Sequence, residues 1–258
     1  MAEGETQPPV PIRANILDVP HGFFGRAGGT STGDVAGLQL GLGADDDPAA
    51  VAENRRRAIQ AVLPGARLAM PYQVHSPDVA VVTGPMEGDD RARVDALVST
   101  TPGLLIGVVT ADCAPVLLAD AEAGVVAAAH AGWRGAKGGV LANTVAAMVA
   151  AGADRSRIAA AIGPTIAQPS YEVDEAFRKD FISDEPRNAQ YFTQGRPGHF
   201  QFDLPAFVAA QLRLAGVEKV QDTALDTYGD AERFYSFRRA THQGQPTYGR
   251  QGAFIGLG

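Results

Sequence analysis

Two short apolar runs, Val116–Ala119 and Val125–Ala129, flank the segment Asp120–Gly124. Apolar runs this close, separated by a short stretch containing glycine, predict a β-hairpin. Pro115 suits the start or edge of a strand, because it has no N–H for a ladder. If the hairpin is symmetric about residues 121 and 122, it sets Cys113 opposite His130. Directly opposed side chains have Cβ atoms about 4.5–5.5 Å apart, close enough for a thiolate and an imidazole to share one metal ion. Beyond His130 the reading is a glycine-rich loop, Gly132–Gly139, then a helix of small residues, Val140–Ala151. This stretch holds the only cysteine and the only tryptophan, Trp133.

Around that hairpin, other elements follow from local signals. Asp45–Asp47 before Pro48 reads as a helix N-terminus, with the helix running to Leu63. Leu68–Val74, Val79–Val82, Val94–Ser99 (led by Asp95), Leu104–Thr110, Ser156–Ala161 and Val217–Val220 read as strands. Asp174–Ile182 and Leu204–Ala215 read as helices, and Glu185–Phe200 as a polar, mobile segment. Residues 1–11 read as a flexible leader. The loop Gly22–Gly33 offers Arg26, Thr30 and Ser31 as contacts for an anion. No repeat or linker divides the rest, so residues 12–258 are expected to form one mixed α/β domain, with mixed sheets and flanking helices in layers.

Composition narrows the function. A net charge of −7 argues against a nucleic-acid partner, although a local arginine cluster can still hold a small phosphate. One cysteine excludes an internal disulfide and suits a reducing compartment. No signal segment and no apolar run of membrane-spanning length is present, so a cytoplasmic protein without a membrane partner is expected.

Cys113 and His130 admit three readings. They are core residues, or a thiolate–imidazole dyad for nucleophilic attack, or two ligands of a zinc ion completed by another histidine. His75, at a strand end, is the candidate third ligand. It lies 38 residues before Cys113, and His130 lies 17 after; this spacing matches no compact zinc-finger pattern.

Several motifs occur in order: Y-Q-V-H-S (72–76), V-D-A-L-V-S (94–99), T-A-D-C-A-P-V (110–116), H-A-G-W-R-G (130–135), I-G-P (162–164) with Y-E-V (171–173), and F-Y-S-F-R-R (234–239) with G-R-Q-G-A-F-I (249–255). Together they resemble the purine nucleoside phosphorylase family formerly labelled multicopper polyphenol oxidase, or laccase-domain proteins. The resemblance spans nearly the whole chain from His21. It implies a layered α/β fold and zinc bound by His75, Cys113 and His130. It also implies phosphorolysis of adenosine, inosine and methylthioadenosine, and deamination of adenosine. Bacterial members are also linked to editing of peptidoglycan precursors. Small-molecule nucleoside and phosphate are then the expected partners. Cys113 and Asp112 are the candidate catalytic residues, with Asp112 orienting a ligand histidine or polarising the substrate. Arg134 and Arg238 are candidates for phosphate, Gln73 for a purine edge, and Arg26 and Ser31 for further substrate contacts. Trp133 reads as core rather than as a stacking platform.

The chain departs from the family pattern at Gln39, Thr165 and Asp226, which leaves the trio intact. Laccase chemistry is not expected, since five histidines cannot furnish both a blue-copper site and a trinuclear centre. Adventitious copper in the zinc site would account for weak oxidation. Two rivals stand beside the phosphorylase reading: a metal-independent Cys–His hydrolase or precursor-editing enzyme, and a non-catalytic regulator stapled by zinc.

Overall fold

A computed structural model describes residues 7–86 and 88–258. The expected leader falls largely outside them; of its described part, Pro9 is buried and Pro11 lies against Gly22.

The predicted hairpin forms the middle of a six-stranded sheet. Its strands, Ala114–Asp120 and Val125–Ala131, are buried along their whole lengths. The sheet runs in the order Lys219–Asp222, Ala159–Ile162, the two hairpin strands, Ala96–Ser99 and Val79–Val81. Its outermost pairs are parallel and its inner pairs antiparallel. Continuous burial follows from cover on both faces. Val116, Leu118, Ala127 and Ala129 face helices Val140–Ala150 and Leu204–Leu214. Leu117, Ala119, Val126 and Ala128 face a second sheet of His21–Phe23, Gln251–Gly256, Leu104–Thr110 and Arg67–Ala69. Helix Pro48–Val62 closes the far side of that sheet over Phe24, Leu105 and Phe254. The fold is therefore a layered mixed α/β domain. Among the described residues no helix is long and apolar enough to cross a membrane.

The helix signals hold to within a residue or two. Asp47 Oδ1 accepts from the Ala49 amide at 2.9 Å, and Asp174 Oδ1 from Phe177 at 2.8 Å, each capping its helix. Three expectations need correction. The glycine-rich stretch after His130 is a short helix, Trp133–Gly138, ended by Gly139 in the left-handed region at φ 98°. Leu68–Val74 pairs only over Arg67–Ala69. Glu185–Phe200, expected to be a mobile segment, contains a 3₁₀ turn at Pro186–Tyr191 and strands Phe192–Gln194 and His199–Phe202, which with Glu172–Asp174 make a three-stranded sheet. Aromatic residues scattered through that polar stretch anchor it. Phe192 stacks on Phe202 at 4.9 Å, and both rings pack on Phe181. Trp133 joins the same cluster through Phe177 and Phe181, so the helix carrying Arg134 is seated on it.

Phe181 is fully buried at the centre of these rings. Phe181→Ala is expected to lower the free energy of unfolding by about 3–5 kcal/mol. Urea denaturation followed by circular dichroism measures it.

Candidate metal centre

The hairpin register differs from symmetry about residues 121 and 122. Ala114 pairs with Ala131 and Pro115 with His130, so Cys113 stands beyond the strand and faces Gly132. The turn is Ala121–Gly124, closed by the Ala123 amide donating to Asp120 Oδ1 at 3.2 Å, with Gly124 at φ 64°. A shift of two residues leaves every side chain on its original face. Cys113 and His130 therefore remain neighbours, now diagonal. The glycine opposite Cys113 is required for space: a Cβ at Gly132 would fall 2.8 Å from Cys113 Sγ and 3.2 Å from His75 Cδ2.

His75 arrives from an irregular segment and sits at φ 61°. Asp95, 0% exposed, controls both histidines. Its Oδ2 accepts from the amides on either side of His75, Val74 at 3.0 Å and Ser76 at 2.7 Å. Its Oδ1 lies 2.7 Å from His130 Nδ1, and its carbonyl accepts the His130 amide at 2.7 Å. Burial opposes ionisation of Asp95, yet the bonds from His130 and the two amides hold its carboxyl down to about 2. An ionised carboxylate only accepts, so His130 Nδ1 carries a proton and Nε2 is the ring nitrogen left to ligate a metal. The two imidazoles meet edge to face, 4.8 Å between centroids.

The ligand atoms of His75, Cys113 and His130 all lie within 4.8 Å of one another. One sulfur and two nitrogens, with space preserved by Gly132, fit a metal ion that keeps one coordination position open. Burial pushes the Cys113 thiol up, but His130 and His75 beside it more than offset this and lower it overall. Burial likewise disfavours charge on His130, and Cys113 and Asp95 reverse that, raising it. Each group thus favours the charged form of the other, the thiol lowered and the imidazole raised. Among the described residues no other group of three such donors occurs. His21 is engaged with Ala14 and Val19, His199 with Arg196 and Pro197, and His242 with Tyr228.

The trio opens into a cleft of about 510 Å³ whose lining, among the described residues, includes Arg91, Arg134 and Arg250 and no carboxylate. Leu42, Tyr72 and Phe237, three of the seven large hydrophobic residues exposed among those described, line it too. A smaller recess of about 240 Å³ adjoins the trio and is lined by Trp133, Tyr171 and Arg238.

The other expected site residues divide. Arg134 is exposed in both cavities, its guanidinium 4.4 Å from the Trp133 ring. Arg238 reaches the recess and donates to the Glu172 carbonyl at 2.8 Å. Gln73 lines the cleft, but its amide is used on the Val109 backbone, Nε2 to O at 2.8 Å and N to Oε1 at 2.9 Å. It extends the sheet edge rather than presenting a free edge to a purine. Asp112, at φ 87°, accepts from Thr227 Oγ1, Ser236 Oγ and the Arg238 amide at 2.6, 2.9 and 2.7 Å. Burial raises its pKa and those bonds partly offset the rise. Asp112 braces the turn that presents Cys113, while the histidine-orienting role expected of it belongs to Asp95. Arg26 donates to the Ala231 and Ala36 carbonyls, and Ser31 to Asp46; neither lines the cleft or the recess. The departures at Thr165 and Asp226 are structural: Thr165 Oγ1 donates to the Asp112 carbonyl at 2.7 Å, and Asp226 accepts from Ala167, Ser170 and Tyr228.

Residues 20–258 match the family described as multi-copper polyphenol oxidoreductase laccase. A purine nucleoside phosphorylase of Deinococcus radiodurans is 42% identical over 257 residues, 98% of this chain and 95% of that protein. One of Streptomyces coelicolor is 40% identical over 246 residues, 95% and 98% respectively. Among solved structures, YlmD from Geobacillus stearothermophilus superposes with a TM-score of 0.87 at 30% identity, covering 99% of this chain and 98% of that one. The Neisseria meningitidis protein NMB0706 does so at 0.83 and 33% identity, covering 97% and 99%.

Two outcomes follow from the geometry. Gly132→Ala, at an ordinary φ of −66°, is expected to stay folded and to lose at least about tenfold in zinc affinity, since its Cβ occupies ligand space. Chelator competition alongside a melting curve measures both. For pH, His130 is raised and must shed its proton before it can ligate. Zinc binding should therefore release protons and tighten from about pH 6 to about pH 8. Calorimetry in buffers of different ionisation enthalpy reads the proton count; binding that does not change with pH would contradict a proton held by the Cys113–His130 pair.

Proposed function

The chain belongs to the multi-copper polyphenol oxidoreductase laccase family, and from its site we propose that it is a zinc-dependent purine nucleoside phosphorylase acting on adenosine, inosine and methylthioadenosine, with adenosine deaminase activity at the same centre. The observation that carries the reading is a Cys113–His75–His130 donor set opening into a cleft lined by arginines and aromatic rings and, among the described residues, by no carboxylate. The names of the relatives agree with it. A cytoplasmic setting suits the free thiol.

The balance of phosphorolysis is simple. A phosphate oxygen bonds to C1′ as the C1′–N bond of the nucleoside breaks, and the purine leaves with a proton. His75, Cys113 and His130 would hold the zinc, which would supply a Lewis acid to the site. The chain's own residues position the rest. Asp95 fixes His130 and the His75 turn. Arg134, stacked over the Trp133 ring at 4.4 Å, presents a guanidinium fork suited to phosphate oxygens. Arg238, held by Glu172, offers a second positive group in the recess. The exposed rings of Tyr72 and Phe237 suit the apolar faces of a purine.

A second reading has its own support. Cys113, His130 and Asp95 are arranged as nucleophile, base and orienting acid, so a metal-independent hydrolase is the rival. The zinc-loaded chain, assayed with adenosine, inosine and methylthioadenosine, is expected to yield free base and pentose 1-phosphate only with phosphate present. Cys113→Ala should abolish this. Arg134→Ala should raise the KM for phosphate about tenfold or more with zinc content unchanged, and should spare deamination, which needs no phosphate. Turnover that survives chelation and ignores phosphate would instead favour the Cys113–His130 hydrolase.

A further inference from the structure

Arg250 is half-buried in the cleft wall, with no carboxylate in ion-pair range among the described residues. Its guanidinium lies 4.6 Å from the Tyr248 ring, and Nη2 donates to Tyr248 Oη at 3.2 Å. Nη1 is buried and has no hydrogen-bond partner. A buried donor that has lost water and gained nothing is rare in a folded protein and asks for an acceptor.

The space for one is present. A Cβ built on Gly43 would meet only Arg250 Nη1 within 4 Å, at 3.8 Å. Gly41 brings the backbone close, since a Cβ there would lie 2.9 Å from Arg250 Cδ. Gln39 pins this loop by bonding both the amide and the carbonyl of Gly41, and reaches Asp46 at 3.5 Å. The Leu42 and Gly43 amides donate to no protein acceptor among the described residues. The loop is thus held in place with free N–H groups beside an unsatisfied guanidinium, a combination that suits a tetrahedral oxyanion.

We infer that Arg250 and the loop Gly41–Gly43 form a second anion subsite of the cleft, separate from Arg134, that takes a phosphate-class oxyanion. The inference rests on the nucleoside reading only for what brings the anion there. It is either free inorganic phosphate or the 5′-phosphate of a nucleotide substrate, and the two share the same recognition chemistry.

The test uses the zinc-loaded full chain and calorimetric titration at constant ionic strength. The probes are inorganic phosphate, inosine and inosine 5′-monophosphate. Arg250→Gln is expected to weaken binding of the phosphate-bearing ligand about tenfold or more, with zinc content and inosine affinity unchanged. If the 5′-phosphate is the occupant, the nucleotide outbinds inosine in the native chain and loses that advantage in the variant. If free phosphate is the occupant, inorganic phosphate binding falls and the nucleotide gains nothing over inosine. Should Arg250→Gln unfold, Gly43→Asp decides, because it puts an internal carboxylate beside an intact Arg250 and should block the same ligand. Phosphate and nucleotide affinities that both stay within about twofold of native in a folded variant overturn the subsite. Loss of binding in a chain that shows no phosphorolysis would overturn the phosphorylase reading and leave the subsite standing.

Discussion

One carboxylate with no contact with water holds the centre together. Asp95 leads the strand next to the hairpin, and its four bonds run to two separate pieces of chain: the Val74 and Ser76 amides on one, the His130 ring and the His130 amide on the other. A buried charge is tolerable only when its acceptors' worth of lone pairs is met, and here each oxygen is. The consequence is a shared reference point. His75 is placed through the Val74 and Ser76 amides that flank it and His130 through its ring, by opposite oxygens of the same group. Neither can drift without disturbing the other, which is the outer support a ligand histidine needs.

The location of the centre follows from how the hairpin is covered. Both faces of the two central strands are sealed by other layers, so nothing reactive can project from their middle. Chemistry is confined to the end where the ladder stops. There Cys113 follows a residue at φ 87°, His75 is itself at φ 61°, and Gly132 removes the one side chain that would fill the gap. Backbone in the left-handed region is costly for non-glycine residues and concentrates where surrounding bonds enforce it. At Asp112 the enforcing bonds come from Thr227, Ser236 and Arg238, residues more than a hundred positions away.

That contrast between local and distant control marks what was legible in the sequence. The hairpin, the capped helices and the converging trio could be read, because apolar runs, aspartates before helices and a lone cysteine carry local signals. The register was misjudged by two residues, since a four-residue turn and one centred elsewhere look alike without Asp120 bonding back to Ala123. Gln73 and Asp112 look like free polar groups in the sequence, and only tertiary packing shows them bonded to Val109 and to the Thr227–Arg238 segment. Asp95 was visible as the acid leading a short apolar strand, but its reach to two histidines crosses 20 and 35 residues of chain. Glu185–Phe200 was misread for the opposite reason: its polar residues dominate the count, while Tyr191, Phe192 and Phe200 decide its structure.

The charge distribution sharpens the chemical reading. The chain carries 29 acidic against 22 Lys and Arg residues, yet among the described residues the cleft beside the trio is lined by three arginines and no acid. A positive cleft in an acidic protein concentrates field where a small anion would enter and repels polyanions elsewhere on the surface. The three histidines outside the trio are each engaged with other partners. A neutral base with an anionic co-reactant uses both halves of the lining, the exposed rings and the guanidinium groups. On the proposed reading, the donor set and the cleft serve one substrate that is aromatic at one end and meets a phosphate at the other.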